Sequence, residues 1–437
     1  MKKRFAAALA LILMIVPLVS GCKNTAETNI KTRKLTVWVS SREYASPMEN
    51  QFVSDHPGVD WGLDVRVVEP SQMAEKLEEA QRTGVDLPDV FMLSPEQLPV
   101  MINSDDTADL NSLGLVFDPT RYCEYAFLMG KTADGSLKAV CWQVDPVMFF
   151  YRRSLARRYL GTDDPDNIAP MLADWDSFLE TARIIRDKSI ELTNGRTRMT
   201  AGLQDVLIPR LSCLDGGWTG GGGELVMPDG AEELFDFALL YKSENLCRGA
   251  EQLSEMWIAG ISDPFDVFGY FASPIGMKNI LKKACTVKTA DGEVSSFGDW
   301  AAVEGPAAYN QGGAWLAAYG GSEMREEAAV FIGYFASEQS AMRKFFLQSG
   351  ATPADINVAE HIKFDPQFGE PFLGGQNYFA VATSAADKIP PRTAASRFDQ
   401  RLKYAFCDAA EAYADGYKDR GQAVDDFTAS AQQIIGL

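Results

Sequence analysis

Between Lys34 and Leu93 the sequence alternates strand, helix, strand, helix and strand, and that alternation leaves few folds open. Leu35, Val37 and Val39 alternate with Thr36, Trp38 and Ser40, the period of two that sets one face of a strand apart. Ser46-Pro47-Met48-Glu49 reads as a capping box with Pro at the first helical position, and Met48 and Phe52 lie one turn apart. His56-Pro57-Gly58 ends that helix, and Val65 to Val68 forms a second strand. Ser71 can cap a helix through Met73, Leu77 and Ala80, which Gly84 stops, and Val90 to Leu93 is a third, fully apolar strand. Strands joined by helices at this spacing predict a doubly wound, largely parallel α/β sheet.

The middle of the chain changes character. Trp142 to Tyr151 is apolar and extended, broken by Asp145-Pro146, and can cross between lobes. Asp174 can cap a helix through Phe178, Ala182 and Ile185. Cys213 to Gly223 is dense in glycine and precedes a helix from about Ala231 to Tyr241. Trp300 to Tyr319 is extended again, with Pro306 and Gly312-Gly313, and Glu323 to Phe335 and Gln339 to Leu347 read as helices. Phe398, Leu402, Ala405, Ala409 and Tyr413 follow the 3.6-residue period; Gly421 breaks it and Val424 to Ile435 resumes it.

At 437 residues the chain is long enough for two or three domains. Its 46% hydrophobic and 23% charged residues exclude a disordered chain, a collagen-like repeat and a polytopic membrane protein. The N-terminus carries an address. Lys2, Lys3 and Arg4 precede an apolar run from Phe5 to Val19, which is too short to span a bilayer and is interrupted by Pro17. Val19-Ser20-Gly21-Cys22 resembles the bacterial lipobox, so cleavage is expected before Cys22, with Cys22 lipidated. Residues 1–21 are then the signal peptide, and residues 22–33 a polar tether. The formal charge of −19 repels phosphate backbones, which argues against a nucleic-acid partner.

Six further cysteines are irregularly spaced and contain no CxxC, a pattern that favours buried free thiols, although an even number in an exported chain permits disulfides. The only histidines are His56, at a helix end, and His361, in a polar stretch. With no HExxH, EF-hand or GxSxG pattern, neither a metal site nor a Ser–His–Asp triad is expected, and no cofactor is. The glycines from Gly216 to Gly223 fit no phosphate-binding fingerprint. A carboxylate pair is the one catalytic device that sequence does not exclude, because glycoside hydrolysis needs only two acids some 5–10 Å apart. A surface glycoside hydrolase is therefore the alternative to a non-enzymatic binding protein.

Several aromatics lie beside loops and polar residues. Trp38 and Tyr44 bracket Ser40, Ser41, Arg42 and Glu43 after the first strand; Trp142 neighbours Gln143 and Asp145; Trp218 sits among glycines; Trp315 follows Gly312-Gly313. Sugars present an apolar CH face and a rim of hydroxyls, which aromatic platforms and polar side chains suit. Ligands of open α/β sheets bind beyond the carboxyl ends of strands, where Ser40 to Tyr44 and Ser94 to Gln97 fall. The expected ligand-binding residues are Arg42, Tyr44, Ser94, Trp142, Asp145, Trp218 and Trp315. If Arg42 faces the cleft, acidic sugars should compete better than neutral ones.

From Lys34 to about Ile435 these pieces resemble the carbohydrate-type (family 1) extracellular solute-binding lipoproteins of ABC importers. Leu35-Thr36-Val37-Trp38 resembles the opening strand, Phe52 to Gly58 the helix ending in His-Pro-Gly, and Gly84 to Val90 the Pro-Asp-Val step. Trp175-Asp176-Ser177-Phe178 resembles a further helix start, and Gly312-Gly313-Ala314-Trp315 with Glu327 to Ile332 the late strand and its helix. Phe149 to Arg153 departs from the family's Tyr-Tyr-Asn-Lys in the last two residues. Ser273 to Met277 lacks the family's ligand-loop Trp, for which Trp257 and Tyr270 are the candidate substitutes.

The resemblance implies a type II periplasmic-binding-protein-like fold of two lobes, residues 34–143 with 307–354 and residues 144–306 with 355–437. They would be hinged near Trp142–Asp145, Gly305–Gly312 and Thr352–Ile356. It implies a carbohydrate ligand held in the cleft, docking on ABC permease subunits, and a monomer anchored through its lipid at the cell membrane, facing the extracellular side or periplasm.

Overall fold

A computed structural model describes residues 33–436 apart from 221–222, 265, 291 and 392–395. The N-terminal signal and Cys22 lie outside the described residues. β1 (Lys34–Val39) pairs in parallel with β2 (Gly62–Val67) on one side and β3 (Val90–Leu93) on the other, with Val37 opposite both Val65 and Val90. The connections are α1 (Arg42–Asp55), which buries Ala45, Met48 and Phe52, and α2 (Met73–Thr83), which buries Met73, Leu77 and Ala80. Burying a side chain such as Met48 or Phe52 contributes roughly 1.5–3 kcal/mol. Gly84 closes α2 at φ 67°, a left-handed cap that glycine adopts without steric cost.

α1 starts earlier than its capping box predicts. The N–H groups of Tyr44 and Ala45 both bond to the Ser41 carbonyl, so the helix is under way before Ser46, and Pro47 sits inside it. Pro47 has no N–H to return to the carbonyl of Glu43, one turn back.

Eight more strands lie beyond this unit or return to it. β4 (Ala139–Val144) leads through Asp145-Pro146-Val147 into β5 (Met148–Arg152). β5 is the middle strand of a second sheet, between β6 (Gly269–Ala272) and β9 (Trp300–Val303). An exposed hairpin, β7 (Thr286–Thr289) and β8 (Gly292–Ser295), precedes β9. The chain then returns as β10 (Ala314–Ala318) and later β11 (Thr352–Pro353), giving a first sheet of order β11-β4-β10-β3-β1-β2. We term the six-stranded sheet with its helices the first lobe, and the three-stranded sheet with its helices the second.

The architecture is mixed α/β, but the sheets are not largely parallel. β10 runs antiparallel to both β3 and β4, β11 is antiparallel to β4, and both pairings of the second sheet are antiparallel. A parallel neighbour needs a crossover of a dozen residues or more. Only β1 to β3 have such local crossovers; β10 arrives from the other lobe, and nothing local fixes its direction.

Asp174 caps the long helix Trp175–Thr193 by accepting from the Ser177 N–H at 2.8 Å. The last two helices, α3 (Asp399–Ala414) and α4 (Arg420–Ile435), pack on the second lobe. Their break falls at residues 415–419, before Gly421, because Asp419 caps α4 with Gln422 as its reciprocal partner. Among the described residues no disulfide forms, and Cys123, Cys141, Cys247, Cys285 and Cys407 are buried thiols.

Candidate functional site

β1, β3 and β4 all run in one direction, so their carboxyl ends share one edge of the first sheet. That edge carries Ser40 to Tyr44, Ser94 and Gln143 to Asp145, and β10 and β11 enter from it beside Gly313 and Thr352. The second lobe meets it with the residues that follow β6. Ser273 there caps the one-turn helix Pro274–Gly276, its hydroxyl accepting from the Gly276 N–H at 3.1 Å.

Two crossing segments lie against each other between the sheets. The Val147 N–H donates to the Tyr309 carbonyl at 3.0 Å, the Gln311 N–H to the Asp145 carbonyl at 3.1 Å, and the Asp145 N–H to Asn310 Oδ1 at 2.8 Å. Glycine is required where they pass. Gly313 has φ 116°, and a Cβ there would lie 3.0 Å from the Gln143 carbonyl oxygen; one on Gly312 would lie 3.1 Å from Asp145 Oδ2.

Polar atoms without a protein partner gather at this edge. Ser94 Oγ, Trp142 Nε1, both amide atoms of Gln143, Asp145 Oδ1 and Thr352 Oγ1 are buried and accept or donate no hydrogen bond to the protein. Each such atom costs about 1–3 kcal/mol; Trp142 Nε1 is walled in by aromatic rings, and the other four residues make this edge the candidate for holding a polar molecule. Burial pushes the Asp145 carboxyl up to about 7, although the Ser273 hydroxyl and Ile275 N–H beside it favour the ionised form. Burial likewise raises the Tyr44 phenol, which lies beside Gln143, and the Tyr44 ring meets Trp142 edge-on at 6.0 Å. A cavity of about 260 Å³ opens next to these groups. Its walls come from both lobes: Glu43, Tyr44 and Pro47 of α1 and Phe345 on one side, Ile275 and Asn279 on the other.

The residues expected from sequence are distributed unevenly around this site. Tyr44, Ser94, Trp142 and Asp145 come together at it. Arg42 is the exposed first residue of α1 and forms no ion pair among the described residues. Trp142 is fully enclosed, boxed by Phe335, Phe345 and Phe346.

Trp218 and Trp315 lie elsewhere, in the lobe cores. Trp218 packs on Phe406 and Phe427, because the glycine-rich loop tucks under α3 and α4 instead of standing free. Trp315 is fully buried and donates to the Ala126 carbonyl at 2.8 Å. Trp257 and Tyr270 are also core: Trp257 Nε1 donates to Asp205 at 2.9 Å, and the Tyr270 hydroxyl to the Trp257 carbonyl at 3.1 Å. Neither replaces a ligand-loop Trp. Thr352 and Asn279 were not among the expected ligand residues. The signal for Gln143 was there to use, an uncharged polar side chain inside a strand that is otherwise Ala, Val, Cys and Trp.

Residues 50–240 match the family model of the bacterial extracellular solute-binding proteins. The fold is that of a solute-binding protein. A crystal structure of an extracellular solute-binding protein of family 1 superposes with a TM-score of 0.76 at 15% identity, covering 92% of this chain and 100% of the other. The sugar-binding protein MalE of Xanthomonas citri gives 0.70 at 17% identity, over 92% and 97% of the two chains. The transporter-associated binding protein of B. animalis subsp. lactis Bl-04, in complex with β-1,6-galactobiose, gives 0.62 at 19%, over 92% and 96%. No curated protein matches the sequence. The solute-binding fold accounts for the two sheets and the repeated crossings between them.

Proposed function

We propose that this chain is a membrane-tethered solute-binding protein that captures a sugar or oligosaccharide in the interlobe cleft and delivers it to the permease subunits of an ABC importer. The observation that carries this reading is the row of buried, unpartnered polar atoms beside Tyr44 and Trp142. Sugar hydroxyls both donate and accept, which is what Ser94, Gln143 and Thr352 can match, while Tyr44 offers an aromatic edge to CH groups. The matched family model and the sugar complex of a structural neighbour support the same class of ligand. Ligand contacts are proposed for Tyr44, Ser94, Gln143, Asp145 and Thr352, and the lobes are those expected from the resemblance, with 34–143 and 307–354 forming the first. The tether is proposed to be lipid on Cys22, holding a monomer at the outer face of the membrane.

A thermal-shift screen against mono- and oligosaccharides tests the central claim. A true ligand at a hundredfold excess over Kd stabilises by about 2.7 kcal/mol and is recovered unchanged. A sugar that is cleaved during the assay supports the hydrolase, and a broad screen with no stabilisation removes the sugar-binding reading.

A further inference from the structure

Met277–Leu281 follows the one-turn helix after β6 and winds as a wide turn of π-helical geometry, a form that is rare and concentrates at functional positions. Met277 and Leu281 are buried, and Lys278 and Asn279 between them reach across to the first lobe. Lys278 Nζ donates to the Ser349 carbonyl at 2.7 Å. Ser349 is the last residue of the helix Gln339–Ser349, where carbonyls lack helical partners and the helix dipole is negative, so an ammonium is well placed there. Asn279 Nδ2 donates to Glu43 Oε2, in the first turn of α1, at 3.2 Å. Both bonds join one lobe to the other, and all four residues line the 260 Å³ cavity.

We infer that the Met277–Leu281 turn is a clasp: Lys278 and Asn279 hold the lobes in their closed arrangement and thereby decide which ligands the cleft can close over. A ligand that projects between α1 and the turn breaks both bonds, whereas one that ends inside the cavity leaves them made. The selective part of this role rests on the sugar-binding reading; the hold on lobe closure does not.

Small-angle scattering of the full chain without added ligand tests the hold directly. The double variant Lys278→Ala with Asn279→Ala should be more expanded than the parent, its open population raised roughly tenfold, and Lys278→Arg should keep the parent profile. Lys288→Ala, on the exposed hairpin, should change nothing. Identical profiles from parent and double variant, with equal melting temperatures, overturn the clasp. If the double variant melts early, Glu43→Ala removes one acceptor from an exposed side chain; it should expand the protein, and an unchanged profile again overturns the claim. Failure here leaves the saccharide screen to stand or fall separately, and failure of that screen leaves the scattering result intact.

Discussion

At neutral pH the carboxyl of Asp145 sits near its own midpoint, because burial raises it from 3.8 to about 7. The unfolded chain loses this proton near pH 4 and the folded chain near pH 7, so between those values the folded state binds more protons. The contribution of Asp145 to stability is therefore greatest below pH 4, falls as pH rises to 7 and levels off above it. Asp145→Asn should remove that slope: denaturant titrations at pH 4.5 and 8 should show the parent losing a few kcal/mol relative to the variant on going up. Equal pH dependence in the two proteins would mean that Asp145 is not the titrating group. The aromatics separate by the same kind of measurement. Trp142→Ala and Trp218→Ala empty tightly packed sites and should cost ~3–5 kcal/mol in chemical denaturation. Tyr44→Ala, at a half-buried position, should instead weaken sugar binding in calorimetric titration while the melting temperature stays close to the parent's.

Among the elements, the crossing pair at Asp145–Val147 and Tyr309–Gly313 is the most constrained. Gly313→Ala sets a Cβ against the Gln143 carbonyl at a backbone angle that side chains rarely adopt, and should destabilise by about 1–3 kcal/mol, measured as a shift of the urea midpoint. The sequence made the first crossovers legible because their signals are local: the alternation in β1, the apolar run of β3 and Gly84 at the end of α2 each need only neighbouring residues. The direction of β10 was not legible, since its partners β3 and β4 lie far away along the chain. For the site, the strand-end rule pointed to Tyr44 and Ser94 and the crossover to Asp145, and the structure sets all three at one edge of the first sheet. It could not sort the tryptophans, because glycines around Trp218 and Trp315 indicate turns and close approach without saying whether helices from elsewhere cover them. α3 and α4, which enclose Trp218, are coded about two hundred residues later.

Across the whole molecule, closure about the crossing segments predicts a change of shape on binding. Scattering with a saturating sugar should show a more compact particle than without it, and superimposable profiles would count against a hinge. Retention at the membrane is a separate matter: Cys22→Ser should release the protein into the medium or leave it unprocessed, and a variant still processed and membrane-bound would sink the lipid assignment. The return of β10 to the first sheet also has a bearing on how the chain is made. Its slot lies between β3 and β4, and Trp315 pairs with Leu93 and Cys141, so the sheet stays split until residues near 318 have emerged. Until then two inner edges stand unsatisfied, and contacts this distant form slowly. A nascent chain that stops short of β10 should be protease-sensitive throughout its first 110 residues. If the chain is exported as proposed, such lateness keeps it threadable through the membrane.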